Sequence, residues 1–218
     1  MKKLFSISSL LLLSVILFAQ INSPKPYQQK SLGFGLKGGL NFANVSNTAD
    51  INGESRTGFM LAGFLSPQFG SGQGFRTELV FSRQGYDYKS NTNTGSVTLD
   101  YILFPQLYTY NLGKVLQLQI GGQVALLIKA DADSTGTQSN ITYAKAMDYY
   151  NKLDYGMAAG FELYPVKGLL VGARYNLSFA KTYKDESEFP LTPIPAFIPP
   201  PGTNGKNNVV QVFLGYRF

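Results

Sequence analysis

The sequence predicts an all-β protein, an eight-stranded antiparallel up-and-down transmembrane β-barrel. Three observations support this fold class. Eight stretches alternate between apolar residues and polar or small residues with a period of two, which is the period of a β-strand. The predicted connections alternate between long and short. The chain also ends on Phe218, inside a strand that has one wholly apolar face, and such a face needs lipid or a partner to cover it.

The first 19 residues are typical of a secretory signal peptide. Two lysines precede an apolar run over residues 4–18, and Ala19 is a small residue at the expected cleavage position. The run is too short for a membrane-spanning helix. We therefore expect residues 1–19 to be removed on export, residues 20–31 to form a short polar linker, and residues 32–218 to form the barrel domain.

The composition excludes several kinds of site. The chain has no cysteine and no histidine, so Ser/His and Cys/His nucleophilic systems cannot form and the commonest metal ligand is missing. The net charge is +6, and the basic residues are spread along the chain without a run that would indicate nucleic-acid binding. We expect no enzyme, no cofactor, no metal site and no nucleic-acid partner.

The alternating stretches define the predicted strands, which cover residues 32–42, 58–67, 75–86, 97–109, 115–128, 153–163, 169–179 and 209–218. In the first strand, Gly33, Gly35 and Gly38 spell the G-x-G-x-x-G motif of dinucleotide-binding loops. That motif must follow a strand and open a helix, whereas these glycines lie within the strand. We interpret them as small residues that make room inside a narrow barrel.

The predicted connections indicate which ends of the strands lie together. Residues 70–74, 111–114 and 164–168 are short and rich in turn residues, whereas residues 43–57, 87–96, 129–150 and 181–208 are longer and polar. This order places both termini on the short-turn side and the long loops outside the cell. In the third long loop, Asp131 and Asp133 resemble the start of a calcium loop. Its twelfth position is Thr142 instead of the required Glu, so we expect a solvated turn.

The two faces of the strands separate a membrane barrel from a soluble one. A soluble barrel of lipocalin type would point its polar face to water. Here the charged faces are also the glycine-rich ones, as a crowded lumen requires, and the opposite faces carry large aliphatic and aromatic residues suited to lipid. In the fourth strand this rule assigns Thr98, Asp100 and Gln106 to the lumen, and it assigns to lipid Val97, Leu99, Tyr101, Leu103 and Leu107.

Charged residues on the inner faces form the main candidate site. The predicted lumen charge network consists of Lys37, Arg76, Glu78, Asp100, Asp154, Glu162, Arg174 and Arg217. Eight strands leave a lumen just wide enough for side chains to fill, and an unpaired buried charge costs several kcal/mol. We therefore interpret these residues as structural ion pairs. A narrow ion path is the alternative.

The last strand and the loop before it carry the other two candidates. The strand resembles the final strand of bacterial outer-membrane barrels, which the insertion machinery reads, and the predicted assembly signal is Val212, Leu214, Tyr216 and Phe218. The loop holds six of the 11 prolines, a composition that favours polyproline II and docking. Its predicted partner-binding residues are Phe189, Leu191, Ile194, Phe197 and Ile198. A loop folded over its own barrel mouth and a disordered loop are the alternatives.

Three segments, LGFGLKGGLNFANVS, LDYILFPQLYTYNL and VFLGYRF, resemble the PorT-type outer-membrane β-barrel family of Bacteroidetes. The resemblance implies a location in the outer membrane. Some members of that family are tied to a secretion and gliding apparatus, but no functional residue can be matched. Together, the sequence predicts a monomeric structural or interaction component of the outer membrane that contacts lipid, the insertion machinery and a surface or envelope protein. A pore for ions or small solutes is the alternative.

Overall fold

The structure, a computed structural model, describes residues 32–46, 54–67, 72–89, 94–134, 143–184 and 205–218. Within them, eight antiparallel strands close into a barrel in sequence order, and β8 pairs back to β1. The predicted fold class is therefore confirmed. The predicted signal peptide and linker lie outside the described residues. The strands are β1 (Leu32–Ser46), β2 (Glu54–Pro67), β3 (Gln73–Lys89), β4 (Thr94–Leu112), β5 (Leu116–Ser134), β6 (Leu153–Val166), β7 (Leu169–Ser178) and β8 (Lys206–Arg217).

The seam between the first and last strands makes the hydrogen-bonded ladder continuous. β1 and β8 are antiparallel, with Leu36 opposite Tyr216 and Phe42 opposite Val210. A closed ladder leaves no strand edge unpaired, which a chain in hydrocarbon requires. The start of β1, the end of β8 and the tight turns at Gly113 and Gly168 lie at one end of the barrel. Both glycines have positive φ, 71° and 86°, a backbone conformation that residues with a side chain rarely adopt.

β3, β4 and β5 run further at the other end than the sequence predicts. β3 and β4 pair as far as Lys89 opposite Thr94, so the predicted long connection over residues 87–96 was wrong. β5 continues to Ser134, so Asp131 and Asp133 lie in a strand and not in a solvated turn. The extensions of β3 and β4 are largely polar, so hydrophobic alternation does not mark them. In the extension of β5 the buried Ala130 still alternates with Lys129 and Asp131, but alanine is too small to give a clear hydrophobic signal. Residues 135–152 and 179–205 still form long connections at this end, and the first contains a 3₁₀ helix, Tyr143–Tyr149.

The outer surface of the barrel is an apolar band. The faces predicted for β1, β5 and β8 agree with the observed exposure: the large apolar residues on one face are exposed or half-buried, and the glycines and polar residues on the other point inward. The sequence left the faces of β2 unassigned, and the structure buries Met60, Ala62, Phe64 and Ser66 inside the barrel. No helix in the described residues is long and apolar enough to cross a membrane.

The predicted faces of β4 were wrong. The side chains assigned to lipid are buried in the lumen, with exposures of 0–3% for Val97, Leu99, Tyr101, Leu103 and Leu107. Asp100 and Gln106 lie on the outer face instead, opposite Arg83 and Thr77 of β3. The reason is that the lumen beside β4 is apolar, filled by Met60, Val80 and Leu127 among others, while polar pairs occupy the outer face.

Candidate functional site

Five charged side chains meet in the lumen of the barrel. They come from four strands, β1, β3, β6 and β7, and all of them are almost inaccessible to solvent. The cluster consists of Lys37, Arg76, Glu78, Glu162 and Arg174. Each position points inward because the strands alternate with a period of two. This group is called the lumen cluster below.

Glu78 joins two cations on either side of it. Arg174 donates from Nη1 to Oε2 at 2.7 Å and from Nη2 to Oε1 at 2.9 Å, and Lys37 donates from Nζ to Oε1 at 2.8 Å. Such a fork pairing is among the strongest hydrogen-bonded ion pairs in proteins. Gln119 accepts a further bond from Arg174 at 2.7 Å, so the guanidinium is held on two sides.

Glu162 is the second anion of the lumen cluster. Arg76 Nη1 lies 2.6 Å from its Oε1 and 2.7 Å from its Oε2, and the Tyr164 hydroxyl donates to Oε2 at 2.8 Å. Arg76 also donates from Nη2 to Gln117 Oε1 at 2.8 Å. The Lys37 ammonium lies 3.5 Å from Glu162 and thereby links the two carboxylates.

Two aromatic rings compensate an excess of positive charge. The lumen cluster has three cations and two carboxylates, so its formal charge is positive. The Lys37 ammonium lies 4.2 Å from the centroid of the Phe213 ring, and the Arg76 guanidinium carbon lies 4.3 Å from that of Phe64. Ring faces are electron-rich and attract cations, most strongly where water is excluded. The rings therefore supply part of the stabilisation that a third carboxylate would give.

A layer of amides and hydroxyls lies next to the lumen cluster, toward the long-loop end. Asn41 donates to Ser82 Oγ at 2.8 Å and accepts from Gln211 at 3.0 Å. Gln84 donates to the same Ser82 hydroxyl at 2.8 Å and accepts from Asn207. These buried groups bond to one another across β1, β3 and β8 and so form a connected polar layer within the lumen.

Tyrosines close the mouth of the barrel at the long-loop end. The hydroxyls of Tyr86 and Tyr150 lie 2.8 Å apart, and the ring of Tyr183 packs against both, with centroids 6.4 Å and 5.4 Å away. Burial raises the pKa of the Tyr183 phenol above its ordinary value, which keeps the group neutral. Tyr150 and Tyr183 belong to different long connections, so the cluster ties those connections to the barrel.

Backbone hydrogen bonds join the same two connections. Asn151 N–H donates to Thr182 O at 3.0 Å, Lys184 N–H donates to Tyr149 O at 3.0 Å, and Thr182 N–H donates to Gly205 O at 2.9 Å. Together with the tyrosines, these bonds form a fixed base at the mouth, called the loop platform below. The Pro-rich residues 189, 191, 194, 197 and 198 lie outside the described residues.

Three residues of the predicted network lie away from the lumen cluster. Asp154 faces inward near the long-loop end and accepts from Ser178 Oγ at 2.5 Å. Arg217 faces inward near the short-turn end and donates to Ser66 O at 3.3 Å. The prediction for Asp100 was wrong, because Asp100 lies on the outer face and accepts from Arg83 Nε and Nη2, both at 2.8 Å.

Several partners of the lumen cluster were not singled out in the sequence. Gln117 and Gln119 share the inward face of β5, which the alternation does predict, but an inward glutamine does not reveal which charge it meets. Tyr164 lies in a segment predicted to be a turn, although it belongs to β6. Longer strand limits for β6 would have placed it on the face of Glu162.

The residues of the predicted assembly signal lie on the lipid side of β8. Val212, Leu214, Tyr216 and Phe218 are all exposed. The Phe218 ring stacks on Phe34 of β1 with centroids 4.7 Å apart, and the Phe218 N–H donates to Phe34 O at 2.9 Å. The terminal residue therefore takes part in closing the barrel at its seam.

The arrangement is suited to packing and less to chemistry. The charged groups of the lumen cluster are engaged with one another, with glutamines and with aromatic rings. Among the described residues there is no group of three or more acidic, histidine or cysteine side chains that could hold a metal ion. What the lumen cluster can do is hold four strands together through the interior.

Comparison with known proteins identifies the family. Residues 18–184 match the family model described as "Outer membrane protein beta-barrel domain", which is more than half of the chain. The chain belongs to this family. The protein is therefore an outer-membrane β-barrel, in agreement with the apolar band on its outer surface. No curated protein matches the chain.

Solved structures of outer-membrane proteins are similar to the chain at low identity. Ail, the attachment invasion locus protein of Yersinia pestis, is 16% identical with a TM-score of 0.45, over 85% of this chain and 98% of that one. Neisserial surface protein A is 14% identical with a TM-score of 0.49, over 86% and 99%. OprG from Pseudomonas aeruginosa is 14% identical with a TM-score of 0.45, over 87% and 97%.

Proposed function

We propose that this outer-membrane barrel is a structural or interaction component of the membrane, without enzymatic activity, and that its long loops contact another surface or envelope protein. The loop platform is the observation that carries the proposal. Tyr150 and Tyr183 hold the two long connections on the barrel mouth, so the chain between Lys184 and Gly205 leaves from fixed points. Loops on a rigid scaffold are where binding residues concentrate in proteins.

The segment between those fixed points has the composition of a contact segment. It includes Phe189, Phe197 and Ile198 together with six prolines, and bulky apolar side chains gain from a partner that covers them. A proline-rich chain loses little conformational entropy when it docks. These properties favour a protein partner over a small solute.

Deletion of residues 190–201 tests this role. The variant should keep the difference in gel mobility between unboiled and boiled samples, because β7 ends at Ser178 and β8 begins at Lys206, so the deletion leaves both strands complete. We expect an envelope protein to co-purify with the intact chain and to be lost from the variant. Replacement of residues 136–141 by a Gly/Ser segment of equal length is the control and should retain that protein. Loss of the folded gel band on deletion would instead assign the segment to the fold as a structural lid.

A pore is the competing function, and the packing of the lumen argues against it. The lumen cluster and the tyrosines fill the barrel at two levels. Planar bilayer recordings should therefore show no stable large conductance. Steady channels whose ion selectivity changes on Arg174→Glu would contradict the proposal and favour a pore.

Membership of a particular family branch and export by a signal peptide are also part of the proposal. Its resemblance to the PorT-type barrels of Bacteroidetes supports membership of that branch, and the features of residues 1–19 support export by a signal peptide. N-terminal sequencing of the mature protein should begin at Gln20. A mature chain that begins at Met1 would contradict the signal peptide.

A further inference from the structure

A row of two polar residues and a glycine interrupts the apolar, lipid-facing surface of the barrel on one side. The row is formed by Thr77 of β3, Gln106 of β4 and Gly122 of β5, which lie opposite one another in the sheet register. Their outward neighbours are apolar and exposed, including Leu79 and Ile120. The row therefore lies within the apolar band and not at its margin.

Gln106 is the residue in this row that lipid cannot satisfy. Its Oε1 accepts a hydrogen bond from Thr77 Oγ1 at 2.9 Å. Among the described residues, its NH₂ group has no hydrogen-bond partner. Hydrocarbon offers no acceptor either, so the amide NH₂ has a cost on a surface covered by lipid chains. A polypeptide acceptor would remove that cost.

Room for such a polypeptide exists beside Gln106. Gly122 is exposed, and a Cβ built there would meet only Gly156 O, at 3.9 Å. Small residues on a membrane-facing surface let two backbones approach closely enough for polar side chains to bond between chains. The row therefore combines an unsatisfied donor with a shallow notch.

We propose that the outer face of β3, β4 and β5 is a contact surface for a second copy of this chain in the membrane. A carboxamide carries both a donor and an acceptor, so a two-fold axis near Gln106 lets each NH₂ group bond to Oε1 of the other copy. The dimer replaces the monomer that the sequence alone predicts.

An ion pair on the same face supports a second copy over an unrelated partner. Arg83 and Asp100 lie next to each other on β3 and β4, toward the long-loop end. The Arg83 side chain is 42% exposed, and only its Nε and Nη2 bond to Asp100. Adjacent charges of opposite sign are complementary to the same pair turned by two-fold symmetry, whereas a face with one sign of charge would repel its copy.

Disulfide trapping in native outer membranes tests the proposal, because the chain has no cysteine of its own. Gly122→Cys places a thiol in the notch, and Val212→Cys places one on the lipid face of β8, away from β3 to β5. Oxidation should give a disulfide-linked dimer of this chain with Gly122→Cys, at a yield about fivefold above Val212→Cys. Ile120→Cys, on the same strand face as Gly122, repeats the measurement if Gly122→Cys does not fold.

A second variant separates a polar contact from chance collision. Gln106→Leu in the Gly122→Cys background should lower the yield of trapped dimer about fivefold. The folded gel band should be kept, because an apolar leucine side chain is well tolerated on a lipid-facing surface. Equal trapping from Gly122→Cys and Val212→Cys would overturn the proposal. So would a dimer yield that Gln106→Leu leaves unchanged, or a disulfide adduct with a different protein at Gly122→Cys.

Discussion

Arg76 on β3 and Glu162 on β6 meet across the lumen, with Arg76 Nη1 only 2.6 Å from Glu162 Oε1. Glu78, two residues after Arg76, bonds to Arg174 of β7 and to Lys37 of β1. Strands that are not neighbours in the barrel are therefore connected through its interior, in addition to the ladder that connects neighbours. The lumen cluster consequently contributes to stability through paired charges, which depend on one another.

Removing one anion from the lumen cluster should destabilise the barrel strongly. Glu78→Gln leaves the Arg174 and Lys37 charges buried without their main partner, and breaking a buried pair in this way costs about 3–5 kcal/mol. The free energy of unfolding, measured by urea titration of the folded gel band, should fall by that amount. Asp100→Asn is the control, because its partner Arg83 is partly exposed and such pairs contribute about 1 kcal/mol or less. Equal losses of unfolding free energy from the two variants would contradict a stabilising role for the lumen cluster.

Removing one cation should have a much smaller effect. Lys37→Met leaves two cations and two carboxylates, and Glu78 keeps both of its bonds to Arg174. Methionine is similar in volume to lysine and packs well against the Phe213 ring. Urea titration should give a stability within about 1 kcal/mol of the wild type. A loss as large as that of Glu78→Gln would show that the ammonium itself is needed.

The sequence predicts the faces of most strands because the lumen favours small and polar residues, whereas lipid favours large apolar ones. On β1, for example, Lys37 and Asn41 alternate with Leu36 and Leu40, and the structure keeps the two sets apart. The rule fails on β4, where the lumen side is apolar and the outer face carries polar pairs. The lumen beside Leu99 is apolar, and the outward Asp100 is neutralised by Arg83, so hydrophobicity alone assigns the faces the wrong way round.

Which charges meet is harder to predict than which charges point inward. Arg76 and Glu162 are separated by 86 positions, and Glu78 and Arg174 by 96. Their contact depends on how far each strand is staggered relative to the next around the closed barrel. Alternation gives the face of a residue but not its height, and for this reason Asp154 and Arg217 are inward yet lie away from the lumen cluster.

The terminal phenylalanine should matter for assembly beyond its contact with lipid. Phe218→Ala removes the ring that stacks on Phe34 at the seam between β1 and β8. The fraction of chains that reach the folded, heat-modifiable form in outer membranes should fall several-fold. Phe161→Ala on β6 is the matched control, because it removes an exposed, lipid-facing ring away from the seam and should change that fraction little. Similar losses from both variants would reduce the role of Phe218 to general apolar contact.

The orientation of the barrel can be tested with two lysines that lie at opposite ends. Lys152 precedes β6 at the long-loop end, and Lys114 lies in the turn between β4 and β5 at the short-turn end. Both are exposed, and the chain has no native thiol, so Lys152→Cys and Lys114→Cys differ only in place. In outer-membrane barrels the long loops face the outside of the cell. A membrane-impermeant maleimide should therefore label Lys152→Cys on intact cells and label Lys114→Cys only after the membrane is permeabilised. Labelling of Lys114→Cys alone on intact cells would invert the orientation and place the loop platform in the periplasm.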